Sequence, residues 1–185
     1  MPLFAGAAAV VFGALSFCRD AGARAQISSE LEAGIVGIGD GQRAWASTRL
    51  DLGVRVEALY GREGPRDWGA GPFLHARTPW FHGADYGGGL VVLAPVDPTF
   101  PLWFGVGGYE RRLDSAWSPG ANAFVAFGSR GFNYHSRYAM TYGLSLDVRS
   151  TFGTARSVDV IAALDLDFEG LLIPAMYFLG LVRHA

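Results

Sequence analysis

The chain has 185 residues, enough for one domain with a substantial interior. Half of it is hydrophobic, 17% is charged and the net charge is −2, so nucleic acid gets no electrostatic support as a partner. A single cysteine, Cys18, excludes an internal disulfide, and glycine without a collagen period excludes a triple helix.

Residues 1–25 read as a secretory signal. Leu3 to Phe17 is apolar, and Ala23-Arg24-Ala25 forms a cleavage site before Gln26. A basic region ahead of the apolar run is missing, and a buried N-terminal helix is the other reading. Phe17 before Cys18 argues against a lipid-modified cysteine. No later apolar run reaches the length of a membrane-spanning helix.

From Ser28 the pattern is two-fold. Ser28 to Gly39 sets Leu31, Ala33 and Ile35 against Glu30, Glu32 and Gly34, and its alternation decays after Ile35. Gly39-Asp40-Gly41 is a turn signal. Ala44 to Tyr60 is the clearest run: Leu50, Leu52, Val54, Val56 and Ala58 share one parity, and Arg49, Asp51, Gly53, Arg55 and Glu57 the other. A strand sends alternate side chains to opposite faces, so this run has one apolar and one charged face. After a turn at Gly61 to Pro65, Asp67 to Thr78 sets Trp68, Ala70, Leu74 and Ala76 against Asp67, His75 and Arg77. Pro72 counts against a central strand there.

Pro79 to Ala84 turns the chain, Asp85 to Leu93 is apolar and glycine-rich, and Pro95, Pro98 and Pro101 mark a connection. Leu102 to Leu113 alternates Leu102, Phe104 and Val106 with Trp103, Gly105 and Gly107. Asp114 to Gly120 reads as a loop carrying Trp117, Ala121 to Gly128 as a strand, and Ser129 to Arg137 as a polar loop. Ala139 to Ser150 alternates Tyr142, Leu144, Leu146 and Val148 with Gly143, Ser145, Asp147 and Arg149. The eighth run sets Val158, Val160, Ala162, Leu164, Leu166 and Phe168 against Asp159, Asp165, Asp167 and Glu169.

Eight runs spaced for consecutive hairpins predict an all-β fold, an antiparallel up-and-down β-barrel of about eight strands over 26–169. A short apolar segment, 170–185, follows, with Pro174 suited to the start of a short helix.

Alternation leaves open which face meets water. A soluble barrel turns its apolar face inward; a membrane barrel turns it to lipid and fills its lumen with the polar face. Charges of both signs on the polar parity favour the second arrangement. Arg49, Asp51, Arg55, Glu57, Asp147, Arg149, Asp165 and Asp167 are the candidate lumen-facing network. Gly53, Gly105, Gly107 and Gly143 on the same parity fit a narrow interior. Trp45, Tyr60, Trp68, Trp80, Tyr86 and Tyr109, near run ends, are candidates for aromatic girdles.

In these features the chain resembles small eight-stranded bacterial outer-membrane β-barrel proteins: a signal, a mature chain free of cysteine, alternating strands, and the aromatic Phe168 after apolar residues at every second position from Val158. The resemblance implies a bacterial outer-membrane location, lipid or lipopolysaccharide as partner, and a structural, anchoring or interaction role. The sequence shows no alternation of long outer loops with short turns, and it continues beyond the aromatic.

Two other functions stay open. One is a soluble, secreted or periplasmic lipocalin-like barrel binding an apolar ligand. The other is an outer-membrane lipid A deacylase-like enzyme, for which His135-Ser136 is the candidate pair. Adjacent residues on a strand diverge, and no G-x-S-x-G elbow is present, so no catalytic residue is assigned. His75, His82 and Asp85 match no tight metal signature, and Gly87-Gly88-Gly89 lacks the Lys-Ser/Thr of a phosphate loop. No cofactor or metal is assigned, and the oligomeric state is left open.

Overall fold

The structure, a computed structural model, describes residues 25–39, 43, 45–79, 83–113, 116–130, 141–153 and 156–167. Residues 1–24 of the expected 1–25 signal, Trp80 of the expected girdles, the pair His135-Ser136, Phe168 and the apolar tail 170–185 lie outside the described residues.

Eight strands follow in order: β1 Gln26–Gly39, β2 Ser47–Leu59, β3 Gly69–Pro79, β4 Gly83–Ala94, β5 Leu102–Leu113, β6 Ala116–Arg130, β7 Thr141–Thr151 and β8 Ser157–Asp167. Each pairs antiparallel with its neighbour, and β8 pairs with β1, so the sheet closes into a barrel without edges. Following paired residues from Ser29 through Val56, Leu74, Gly88, Gly108, Ala121, Ser150 and Val158 returns to β1 at Gly39, ten residues beyond the start. For eight strands, a stagger of that size tilts them by about 40° and leaves a lumen just wide enough for side chains.

The polarity is inverted relative to a soluble barrel. Arg55, Glu30, Glu32 and Asp165 are buried inside, whereas Leu144, Val106 and Leu74 are more than half exposed on the outside. Among the described strand residues, Glu110 and Arg112 are the charges on the outer parity, and Arg112 lies near a barrel mouth. The apolar faces therefore do not line an interior, which corrects the lipocalin-like expectation.

Two prolines sit in strands where the ladder permits it. Pro72 shares the parity of Ala70, whose N–H and carbonyl both bond to Tyr60 across the β2 side. The β2–β3 register stops at Glu57↔Phe73, so the missing N–H falls in a gap. Pro119 lies beyond the β7 ladder, which reaches Gly120↔Thr151, and its carbonyl accepts from Phe152 at 2.8 Å. Residues 116–120, expected as a loop with Trp117, are thus the first part of β6. Their pattern is masked because Ser118 and Gly120, facing inward, look like turn residues.

β1 and β8 place their outer ends at the same mouth, together with connections 60–68, 95–101 and 131–140. The opposite mouth, the far end, carries connections 40–46, 80–82, 114–115 and 152–156. The loops are therefore unequal, with the longer ones on the side of the chain ends, an asymmetry the sequence reading did not find.

The lumen as candidate functional site

The lumen is built by parity. Even residues of β1 and β6 and odd residues of the other strands point inward. Among the described strands, β1, β2, β7 and β8 carry every inward carboxylate except Asp85, and on β3 to β6 glycine and aromatic residues dominate, so the interior has two unlike walls.

Arg55 is the centre of the first ion-pair group. Its guanidinium meets Glu30, Glu32 at 2.7 Å, Glu57 at 2.9 Å and Asp165 at 3.4 Å. Arg77 bridges Glu32 at 2.5 Å and Asp51. Arg130 pairs with Glu57 at 2.5 Å and donates to the Ser28 hydroxyl, while the Ser145 hydroxyl donates to Asp165 at 2.8 Å. Nearer the far end, Arg111 grips Asp85 through Nε at 2.8 Å and Nη2 at 2.7 Å, and reaches Asp159 at 2.5 Å. Arg149 joins that group through Asp85 at 3.1 Å and Asp147 at 2.8 Å. Two-pronged contacts of this kind suit the planar fork of arginine and would be lost with lysine.

The opposite wall supplies the other faces of these guanidiniums. Arg55 lies 4.4 Å from the Phe124 ring centroid, Arg149 5.1 Å from Tyr109, and Arg130 5.6 Å from Trp103. Interior glycines make room for the rings. A Cβ on Gly105 would stand 2.2 Å from Phe124, and one on Gly120 would stand 2.4 Å from Tyr109. One on Gly53 would stand 2.6 Å from Arg77. Leu59, Phe73, Val91, Leu93, Trp103, Phe124 and Ala126 pack together, so the filling is part apolar as well as part ionic. Phe73 meets Phe124 edge to face at 5.3 Å and stacks on His75 at 5.7 Å.

Of the candidate network, Asp51, Arg55, Glu57, Asp147, Arg149, Asp165 and Asp167 are buried on the lumen side. Arg49 keeps the inward parity but is exposed, because its level on β2, opposite Val36, is already near the far mouth. Glu30, Glu32, Arg77, Asp85, Arg111, Arg130 and Asp159 are buried lumen charges beyond that candidate network. Parity within their own runs carried the signal for Glu30, Glu32, Arg77 and Asp159. Arg130 was hidden by ending the sixth run at Gly128. Tyr109, expected in a girdle, points inward, and its hydroxyl lies 2.7 Å from that of Thr151.

Carboxylate oxygens of Glu30, Glu32 and Asp165 converge within 4.8 Å, the kind of cluster that can hold a cation. Arg55 already meets all three. Asp85, considered with His75 and His82 for a metal, has its oxygens engaged by Arg111 and Arg149. His75 is stacked on Phe73, and His82 lies outside the described residues.

Fold and lumen together define a class: a closed eight-stranded antiparallel barrel, apolar outside and ion-paired inside. No protein-family model matches the chain, and no curated protein is similar to it. Among solved structures it is similar to the Yersinia pestis outer membrane protein Ail in a phospholipid bilayer nanodisc, at 10% identity and a TM-score of 0.37, over 76% of this chain and 99% of that chain. A likeness that distant carries no inference about site or role.

Proposed function

We propose that the chain is a small bacterial outer-membrane β-barrel, held in lipid by its outer face and closed by its own lumen side chains, with a structural, anchoring or interaction role. The observation that carries this reading is the inverted polarity. Leucine, valine and phenylalanine stand exposed around the barrel, at Leu52, Leu74, Leu90, Phe104, Val125, Leu146 and Leu164 among others. A continuous apolar belt of this kind far exceeds what a monomeric soluble protein exposes, whereas lipid is its natural solvent. Closure supports the same reading, since a bilayer tolerates strands only where every backbone group is paired. Exposed aromatics stand near both mouths, as Trp45, Tyr86 and Trp117 at one and Trp68, Phe127 and Tyr142 at the other. A lumen packed with ion pairs and rings is a plug, so the expected role does not include a permanent pore.

The test is fractionation of the expressing cell followed by gel migration of boiled and unboiled membrane fraction. Recovery in the outer membrane with faster unboiled migration is the expected result. Recovery as a monomer in buffer without detergent would overturn the reading.

A further inference from the structure

We propose that a hollow in the outer face is the docking site of the chain's own apolar residues 171–182. The hollow measures about 570 Å³ and crosses four adjacent strands, β6, β7, β8 and β1. One row of its lining runs through the paired positions Phe127, Leu144, Leu164 and Ala33. In the next row Ala162 pairs with Ile35, so Ala33 and Ala162 stand diagonally across the β1–β8 seam. Their short side chains leave the sheet low between taller neighbours. Phe127, Leu144, Leu164 and Ile35 keep between 48% and 62% of their surface exposed, so nothing among the described residues fills the hollow.

Place, length and backbone chemistry select the occupant. Leu164 lies about 10 Å back along β8 from the strand's end at Asp167, and β8 leads directly to the segment. Only 168–170 stand between that end and the uncharged residues 171–182, which lie outside the described residues. A helix over 174–183, which Pro174 is suited to start, would be about 15 Å long. The three gaps between four neighbouring strands span about the same distance. The closed barrel has no edge that could take the segment as a further strand, whereas a helix pairs its own backbone. The lumen offers no apolar surface to cover at that mouth, because Leu59 and Trp103 are fully buried there. Tethering gives the segment a high local concentration against a free acyl chain or a second copy. Small residues such as Ala33 and Ala162 permit the close packing that favours a helix over lipid.

Disulfide trapping tests this on the refolded full chain carrying Cys18→Ser. Ala162→Cys is combined in turn with Met176→Cys, Tyr177→Cys, Phe178→Cys and Leu179→Cys, which together cover one helical turn. The expected result of mild oxidation is an intramolecular disulfide in at least one pair, which requires Cα atoms within about 7 Å of each other. The same four changes combined with Leu74→Cys, exposed on β3 away from the hollow, should stay unlinked. Absence of an intramolecular link in every Ala162→Cys pair, or equal linking to Leu74→Cys, overturns the proposal. A disulfide-linked dimer of the Ala162→Cys single variant in place of those links would give the hollow to a second copy and overturns it too. A second measurement is the rate at which a lipid-soluble maleimide labels Ala162→Cys alone. Adding Phe178→Asp/Leu181→Asp, which expels the segment from an apolar site, should raise that rate roughly tenfold, in step with the fraction of time the hollow stands open. An unchanged rate would leave lipid or detergent as the occupant and overturn the proposal. Heat-modifiable migration confirms that each variant has folded. Both readouts apply in micelles and in vesicles, so their failure is distinct from failure of the membrane placement, which fractionation decides.

Discussion

The two walls of the lumen solve one problem with opposite materials. β1, β2, β7 and β8 bring carboxylates into the buried interior, where each unpaired charge is costly. β3 to β6 bring glycines and rings instead. The guanidiniums lie between. Arg55 has four carboxylates on one side and Phe124 on the other. Arg149 stands likewise between Asp85, Asp147 and Tyr109. The charged wall supplies every strand carboxylate of the lumen except Asp85, and the glycine wall, which also carries Arg77, Arg111 and Arg130, sets the distance at which the pairs can form. A lumen with carboxylates all round would leave no room for the rings, and one with rings all round would strand the arginines.

Removing the shared cation is the most direct way to break that arrangement. Arg55→Ala leaves Glu30, Glu32, Glu57 and Asp165 facing one another, and should lower unfolding free energy by about 3–5 kcal/mol in a urea titration of the refolded barrel. If the variant does not refold, Arg55→Lys gives the graded version, keeping the charge and losing the fork. A loss below about 1 kcal/mol for Arg55→Ala would mean that water reaches the lumen and screens the group. The outer face gives the next effect. Leu146→Arg, at mid-strand on β7, should cost about 2–4 kcal/mol in lipid vesicles, and almost nothing if that face met water. From the glycine side, Gly105→Val drives a side chain into Phe124 and should cost about 1–3 kcal/mol. Combining it with Phe124→Ala should recover part of that loss, because the two changes share one space. Simple additivity would show that Gly105 is not a seat for the ring.

The alternation was legible because the strand period is two and the barrel keeps it without a bulge among the described pairings. Leu50 to Ala58 against Asp51 to Glu57 gave β2 and both of its faces. What sequence could not give is level along the axis. Arg49 and Arg55 share a parity, yet one is exposed at a mouth and the other buried among four acids, and only the ten-residue stagger separates them. Partner choice was equally hidden. Arg55 meets Asp165 across 110 residues, and Arg130 meets Ser28 across 102. Tyr109 lies near a run end, where a girdle is expected, although odd parity on β5 directs it inward alongside Trp103 and Arg111. Residues 116–120 and Arg130 were lost because a strand of serine, proline and glycine looks like a loop until its neighbours are known.

Arg62 repeats the pattern of the walls from a loop and with weaker partners, so it should show the smallest effect. It folds over Gly69, where a Cβ would stand 2.9 Å from its Cγ, and its Nη1 donates to the Gln26 amide oxygen at 3.1 Å. Burial, with the Arg130 guanidinium nearby, pushes the Arg62 guanidinium down to about 10. A cation with a lowered folded pKa is bound less tightly by protons in the folded state than in the unfolded one. Its charge therefore costs stability at neutral pH, and that cost fades as pH rises through 10 toward the unfolded value. Arg62→Gln removes the cost and weakens one hydrogen bond, so the two proteins should differ by less than about 1 kcal/mol at pH 8. The parent should then gain on the variant as the titration moves to pH 11. Parallel stability curves across that range would show that Arg62 keeps an ordinary affinity for its proton, and that the mouth beside Arg130 is open to water.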